Sequence, residues 1–126
     1  MIDGLFNQTI YVAAKRLLDV TALRQEAIAS NIANVETPNY KRLDVAPAFA
    51  DELKQALASK DPTRHASLQP QLATDGSAIE RRKDGNTVDL ESELMRMNQN
   101  FLEHQLEAQL ISGSMLKLRL AITGRA

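Results

Sequence analysis

The sequence predicts a mainly α-helical chain. Two long helices, one at each end, pair antiparallel in a coiled-coil-like manner and are joined by an irregular middle with one short helix. Three observations predict this. Apolar residues recur at helical spacing over both ends of the 126-residue chain. The prolines and two of the three Asp-Gly pairs lie between those ends. Aromatic residues are few, with three Phe, two Tyr and no Trp. A compact core of this size ordinarily buries more of them, so packing by Leu, Ile, Ala and Met is expected.

The N-terminal helix is expected over about 8–34. At 100° per residue, Ile10, Ala13, Ala14, Leu17, Val20, Thr21, Ile28 and Ile32 fall on one side. No Gly or Pro interrupts Gln8 to Asn34, so the helix would run about 40 Å. Arg24 lies within the stripe, where an arginine either snorkels to the edge or pairs with a carboxylate of another helix. Asn34 is read as a left-handed C-cap, and Pro38 blocks continuation. Thr37, before the proline, is biased to extended geometry, so Thr37-Pro38-Asn39-Tyr40 reads as a turn.

The middle, 35–86, is expected to be irregular apart from an amphipathic helix from Ala48 to Ala58, with Phe49, Leu53, Ala56 and Leu57 on one face. From Ser59 to Gly85 the chain is polar and holds Pro62, Pro70, Asp75-Gly76 and Asp84-Gly85. It is expected to be extended or mobile in the isolated chain, with a hairpin near Ser77–Asp84 as an alternative.

The C-terminal helix is expected over about 89–123. Asp89 is the candidate N-cap, and Glu91 and Glu93 suit the positive end of the dipole. Leu90, Leu94, Met97, Phe101, His104, Ala108, Ile111, Met115, Leu118 and Ile122 follow a 4-3-4-3 spacing, which is a coiled-coil-type seam. Leu102, Leu106, Leu110, Leu116 and Leu120 lie outside it, and Gly124 supplies the stop. Pairing with one helix buries only one stripe, so leucines remain for an interface. The helix-packing and subunit-interface residues are therefore expected to be Ile10, Leu17, Ile28, Ile32, Leu90, Leu94, Met97, Phe101, Ala108, Ile111, Met115, Leu118 and Ile122.

Several function classes are disfavoured. The formal net charge of −1 offers no nucleic-acid footprint, and Arg81-Arg82-Lys83, flanked by Glu80 and Asp84, reads as a solvated loop. The chain has no cysteine, which removes disulfides, thiolate metal sites and cysteine nucleophiles. His65 and His104 have no metal-ligand spacing around them, and His104, on the seam, is expected to be a packing residue. Asp51-Glu52 and Glu91/Glu93 are expected on solvated faces. No phosphate loop, nucleophile elbow or HExxH occurs. No catalytic, cofactor or metal residue is assigned, and neither an enzyme activity nor a small-molecule substrate is expected. The start of the chain lacks the basic and apolar blocks of a cleaved signal peptide. The periodicity alone admits an assembly subunit or a helical adaptor or export chaperone.

The run Ser30-Asn31-Ile32-Ala33-Asn34, with Thr37, Pro38, Tyr40 and Lys41, resembles the signature of the bacterial flagellar axial proteins, which include rod and hook subunits. Asn39 stands where that family usually has Gly, and Asn tolerates the same left-handed geometry. A second run, Asp84-Gly85-Asn86-Thr87-Val88-Asp89-Leu90-Glu91-Ser92-Glu93-Leu94, is similar to the C-terminal region of the short proximal rod members. The resemblance implies one rod-core unit over 1–126 that polymerises helically into the drive shaft and export channel of the flagellar basal body, in the periplasm. It implies export without cleavage by the flagellar type III apparatus. The partners it implies are further copies of the chain, other rod proteins and the basal-body adaptor at the export gate. Another short rod subunit of the family, differing in its contacts and not its fold, is the alternative within the resemblance; a chaperone has no need of the turn signature.

Helices that owe their stability to packing gain order on association. Circular dichroism is therefore expected to show helicity rising with concentration. A cooperative, concentration-independent melt at micromolar chain would contradict this.

Overall fold

The computed structural model describes residues 2–59, 61–80 and 82–124. In chain order the elements are α1 (Ile2–Ala33), β1 (Leu43–Val45), α2 (Ala48–Ala58), α3 (Pro62–Ser67), β2 (Leu72–Thr74) and α4 (Leu90–Thr123). The architecture is mainly helical, and the two long terminal helices pack on each other. Their contacts run in opposite senses: Asn31 meets Glu93, Thr21 meets Asn100, and Thr21 also meets Glu107. The pair is therefore antiparallel.

α1 begins earlier than the apolar stripe implied, at Ile2 rather than about Gln8. A stripe marks where a helix is buried, not where its backbone starts. At the other end, Asn34 is not left-handed, because among the described non-glycine residues only Asn39 has a positive φ, 61°. Asn34 instead stays on the last turn, where its backbone N–H and its side-chain amide both donate to Ser30 O, at 3.1 and 2.8 Å. The left-handed residue falls where the turn needs it. Pro38 and Asn39 occupy the two central positions of a turn closed by Tyr40 N–H to Thr37 O, a geometry that demands positive φ at its third residue.

The middle is more ordered than its composition implies. α2 forms over Ala48–Ala58 as expected and buries Phe49, Leu53 and Ala56. Its face closes a small core with Val20 and Val45, against which Leu23, Leu57, Leu68 and Leu72 pack. The alternation of Leu43–Val45 and Leu72–Thr74 is too short to register as strand in the sequence. The two nevertheless pair antiparallel, with Leu43 opposite Thr74 and Val45 opposite Leu72. No strand forms among the described residues of 77–84. Both Asp-Gly pairs of the middle turn the chain: Asp75 Oδ1 accepts from Ser77 N and Oγ, and Asp84 Oδ1 accepts from Asn86 N. The side chains of His65 and Leu118 lie outside the described residues.

α4 starts at Leu90 with Asp89 as N-cap. Asp89 makes no side-chain bond to the backbone there; its Oδ2 accepts from Ser92 Oγ at 2.6 Å. Gly124, at φ 62°, stops the helix and donates to Leu120 O. No described helix is long and apolar enough to cross a membrane.

Gly85 has φ 79°, and a Cβ there would lie 2.6 Å from Asn39 Oδ1. Gly85→Ala is therefore expected to cost about 1–3 kcal/mol through backbone strain and the clash. A lower Tm in thermal denaturation checks it, with Gly76→Ala, which meets nothing within 4 Å, as the benign control.

Candidate functional site: a buried polar latch between the terminal helices

The two sequence runs that stand out, 30–42 and 84–94, come together in space. Tyr40 O accepts from Thr87 N–H at 3.1 Å and Asp84 O from Asn39 N–H at 2.9 Å. Thr87 Oγ1 accepts from Arg42 N–H at 2.9 Å. The Asn86 side chain, fully buried, donates to the carbonyls of Asn34, Val35 and Thr37 at 2.8–3.1 Å. Its Oδ1 accepts from Val88 N–H. These carbonyls belong to the turn that follows α1, so Asn86 holds that turn in place from a distant part of the chain. Lys41 Nζ adds a bond to Gly85 O at 2.7 Å and pairs with Glu80. Arg82, expected in a solvated loop, reaches back to Val35 O and Glu36.

At the centre lies Arg42. Its side chain is 5% exposed and that of its partner Glu93 only 1%. Arg42 Nε donates to Glu93 Oε1, and Nη1 donates to Asp44 Oδ2 at 3.0 Å and Asp75 Oδ2 at 2.7 Å. Burial works against the guanidinium charge, but the hydrogen bonds it donates to Glu93, Asp44 and Asp75 outweigh that and raise its pKa. Asn31 completes the cluster. Its amide donates to Glu93 Oε2 at 3.2 Å and to Leu43 O at 2.9 Å, while its Oδ1 accepts from Leu43 N–H and Tyr40 OH. Asn31 thus acts as a one-residue extension of the sheet edge and ties α1, β1 and α4 together. Ser30 Oγ closes the set on Tyr40 OH.

Glu93 corrects the expectation of a solvated carboxylate. Because it must point at Arg42 and Asn31, it sets the rotation of α4. The residues seven and fourteen further on, Asn100 and Glu107, also face α1. Asn100 Nδ2 donates to Thr21 O at 2.9 Å, and Thr21 Oγ1 lies 3.0 Å from both Glu107 Oε2 and His104 Nδ1. Met97, Ala108 and Ile111 of the apolar seam are half-buried. Leu90, Leu94, Phe101, Met115 and Ile122 are exposed, Phe101 by 58% and Ile122 by 77%. On α1, Ile28 is buried and Ile32 half-buried, whereas Ile10 and Leu17 are exposed. The seam toward α1 is therefore turned by one residue from the apolar 4-3 pattern and is half polar. Arg24 pairs with Asp44 and Glu103 at 3.4–3.5 Å while keeping a third of its side chain in solvent.

The family described as Flagella basal body rod protein has a sequence model that matches residues 10–41. Over 111 residues the chain is 34% identical to the flagellar basal body rod protein FlgB of Borrelia hermsii, covering 74% of this chain and 80% of that one. The chain belongs to the FlgB family of flagellar basal body rod proteins. Escherichia coli K12 FlgB is 32% identical over 113 residues, 76% of this chain and 80% of its own. Bacillus subtilis FlgB is 28% identical over 128 residues, 96% of this chain and 98% of its own. The function is that of a structural subunit of the proximal rod. The rod-protein family match at 10–41 lies on α1 and the turn that Asn86 holds.

Two outcomes follow from the latch. Arg42→Leu leaves Glu93 buried without its counter-ion and is expected to cost about 3–5 kcal/mol, whereas Arg42→Met with Glu93→Leu should recover most of that; denaturant midpoints compare them. The second concerns pH. Hydrogen bonds from Ser77, with the Arg42 guanidinium, hold the Asp75 carboxyl below its ordinary pKa, against the effect of burial. That stability is present above the unfolded pKa and is lost as pH falls through the lower folded one. Burial pushes Glu107 the other way, up, so its contribution holds at low pH and is lost as pH rises through the folded value. Asp75→Asn is expected to flatten the acid side of a Tm-against-pH curve, and Glu107→Gln to raise Tm above the ordinary Glu range.

Proposed function

We propose that this subunit acts without catalysis, as one rod-core unit over 1–126. It polymerises helically into the drive shaft and export channel at the base of the flagellum. The observation that carries this reading is the latch. It joins both sequence signatures, holds the long helices at one fixed rotation, and leaves a large part of the apolar surface of α4 uncovered. Contiguous exposed apolar surface of that extent on a helix is what a subunit offers to neighbours. A torque-bearing contact needs a helix pair that cannot slide, and hydrogen-bonded polar groups at fixed positions define register better than interchangeable leucines.

The partners under this reading are further copies of the chain, other rod proteins and the basal-body adaptor at the export gate. The location is the periplasmic rod, reached through the flagellar type III apparatus without cleavage. The family-motif residues Ser30, Asn31, Asn34, Thr37, Pro38, Tyr40 and Lys41 serve to build the latch. Ile10, Leu17, Leu94, Phe101, Met115 and Ile122 serve subunit contacts, and Met97 and Ile111 serve the helix pair.

Cell fractionation tests it. The full-length chain is expected in detergent-extracted basal bodies, and recovery only in the cytosol bound to other export substrates would overturn the reading. Met97→Asp or Ile111→Asp, each placing an unpaired charge in the α1/α4 seam, is expected to abolish both incorporation and swimming on soft agar.

A further inference from the structure

Thr21 is 1% exposed, in the α1/α4 seam. Three groups surround its hydroxyl at 3.0 Å: Leu18 O, Glu107 Oε2 and His104 Nδ1. A threonine hydroxyl has one hydrogen to give and two lone pairs with which to accept. Leu18 O can only accept. A charged Glu107 can only accept as well, so a single hydrogen then faces two acceptors. A neutral Glu107 carries its own hydrogen and donates it to Thr21 Oγ1, which frees the threonine hydrogen for Leu18 O. His104 fills the second lone pair in both cases, because an imidazole with its hydrogen on Nδ1 donates there whether neutral or charged. All three contacts around Thr21 are therefore hydrogen bonds only when Glu107 is protonated.

We propose that Glu107, Thr21 and His104 form a proton-operated clasp, which tightens the α1/α4 pair as pH falls toward mildly acid values. Two elements supply the charged groups that face Glu107: Arg24 from α1, and Glu103 and His104 from α4 itself. Burial pushes the Glu107 carboxyl up and the like charge of Glu103 adds to this, against the pull of Thr21, His104 and Arg24. Arg24 is shared between Asp44 and Glu103 at 3.4–3.5 Å, so its charge answers those two first. With the folded value raised, the clasp is fully closed below the unfolded value and is lost as pH rises through the folded one. The latch, two heptads away at Glu93, answers in the opposite sense. Asp75 titrates below its ordinary range, so its contribution is lost only as pH falls through that lower value. Between the two lies a mildly acid window in which latch and clasp are both closed. The clasp belongs to the single chain and does not depend on the rod reading. A chain that passes from a neutral compartment into a mildly acid one gains a firmer helix pair on arrival.

The test compares Tm from mildly acid to neutral pH for the full-length chain, Glu107→Gln and Glu107→Met, all at one concentration. Glu107 is half-buried, so each variant retains the fold. Gln offers Thr21 an amide hydrogen at every pH, as the neutral acid does, whereas Met has the same length and no hydrogen to offer. The wild-type curve is expected to meet that of Glu107→Gln in mild acid and to drop below it toward neutral pH. Glu107→Met is expected below Glu107→Gln throughout. Met at or above Gln would mean that burial of the charge is the whole effect, and the clasp would be wrong. A wild-type curve parallel to that of Glu107→Gln would overturn it too, since no proton then operates the contact. Nitrogen NMR of the wild-type chain at neutral pH reads the third member directly. His104 is expected to hold a hydrogen on Nδ1, and a hydrogen on Nε2 alone would exclude the arrangement.

Discussion

The buried Arg42–Glu93 ion pair is the contact on which the rest of the structure depends. It joins the residue just before β1 to the first turn of α4, across 51 residues. A charge pair this deep is tolerated only when its remaining hydrogen-bonding capacity is met. Here Asp44 and Asp75 take the second edge of the guanidinium, and Asn31 takes the other oxygen of Glu93. Each of these partners lies on a different element, so one ion pair fixes the placement of α1, the sheet and α4 together.

The same contact decides which part of α4 is spent inside the subunit. With Glu93 turned inward, Asn100 and Glu107 follow one and two heptads later, and the leucine and phenylalanine line beside them is left outside. Such a seam is less stabilising than an all-apolar one, because each buried polar group gains only a modest net amount from its bond. It is more specific: a shift by one heptad would leave Glu93, Asn100 and Thr21 without partners. For a structural subunit the division is useful, since polar contacts define the pair within one chain while apolar contacts remain for assembly.

The ends of the chain were legible because helical periodicity is a local property. The stop at Gly124, α2 over Ala48–Ala58 and the turn with Asn39 at positive φ all follow from residue chemistry within a few positions. The order of the middle was not legible. Three-residue strands leave no periodic trace, and the segment is held by Asp75, Asn86 and Thr87 through bonds to groups more than thirty residues away. The carboxylate at Glu93 misled for a related reason. Near a helix start an acidic residue ordinarily serves the dipole from solvent, and nothing nearby in sequence announces the arginine that draws it inward. Both signature runs were visible as motifs, but their meeting was not.

By itself the sequence determined two long amphipathic helices, an excess of apolar surface on the second, a turn built on Thr37-Pro38-Asn39-Tyr40, and membership of a rod-forming family. The helices and the turn depend on spacing and on local backbone preference, and the family on the motif residues themselves. Only the tertiary structure decided which line of α4 faces α1. The seven-residue repeat leaves neighbouring lines nearly equivalent in hydrophobicity, and a single buried charge pair between distant residues is enough to choose between them.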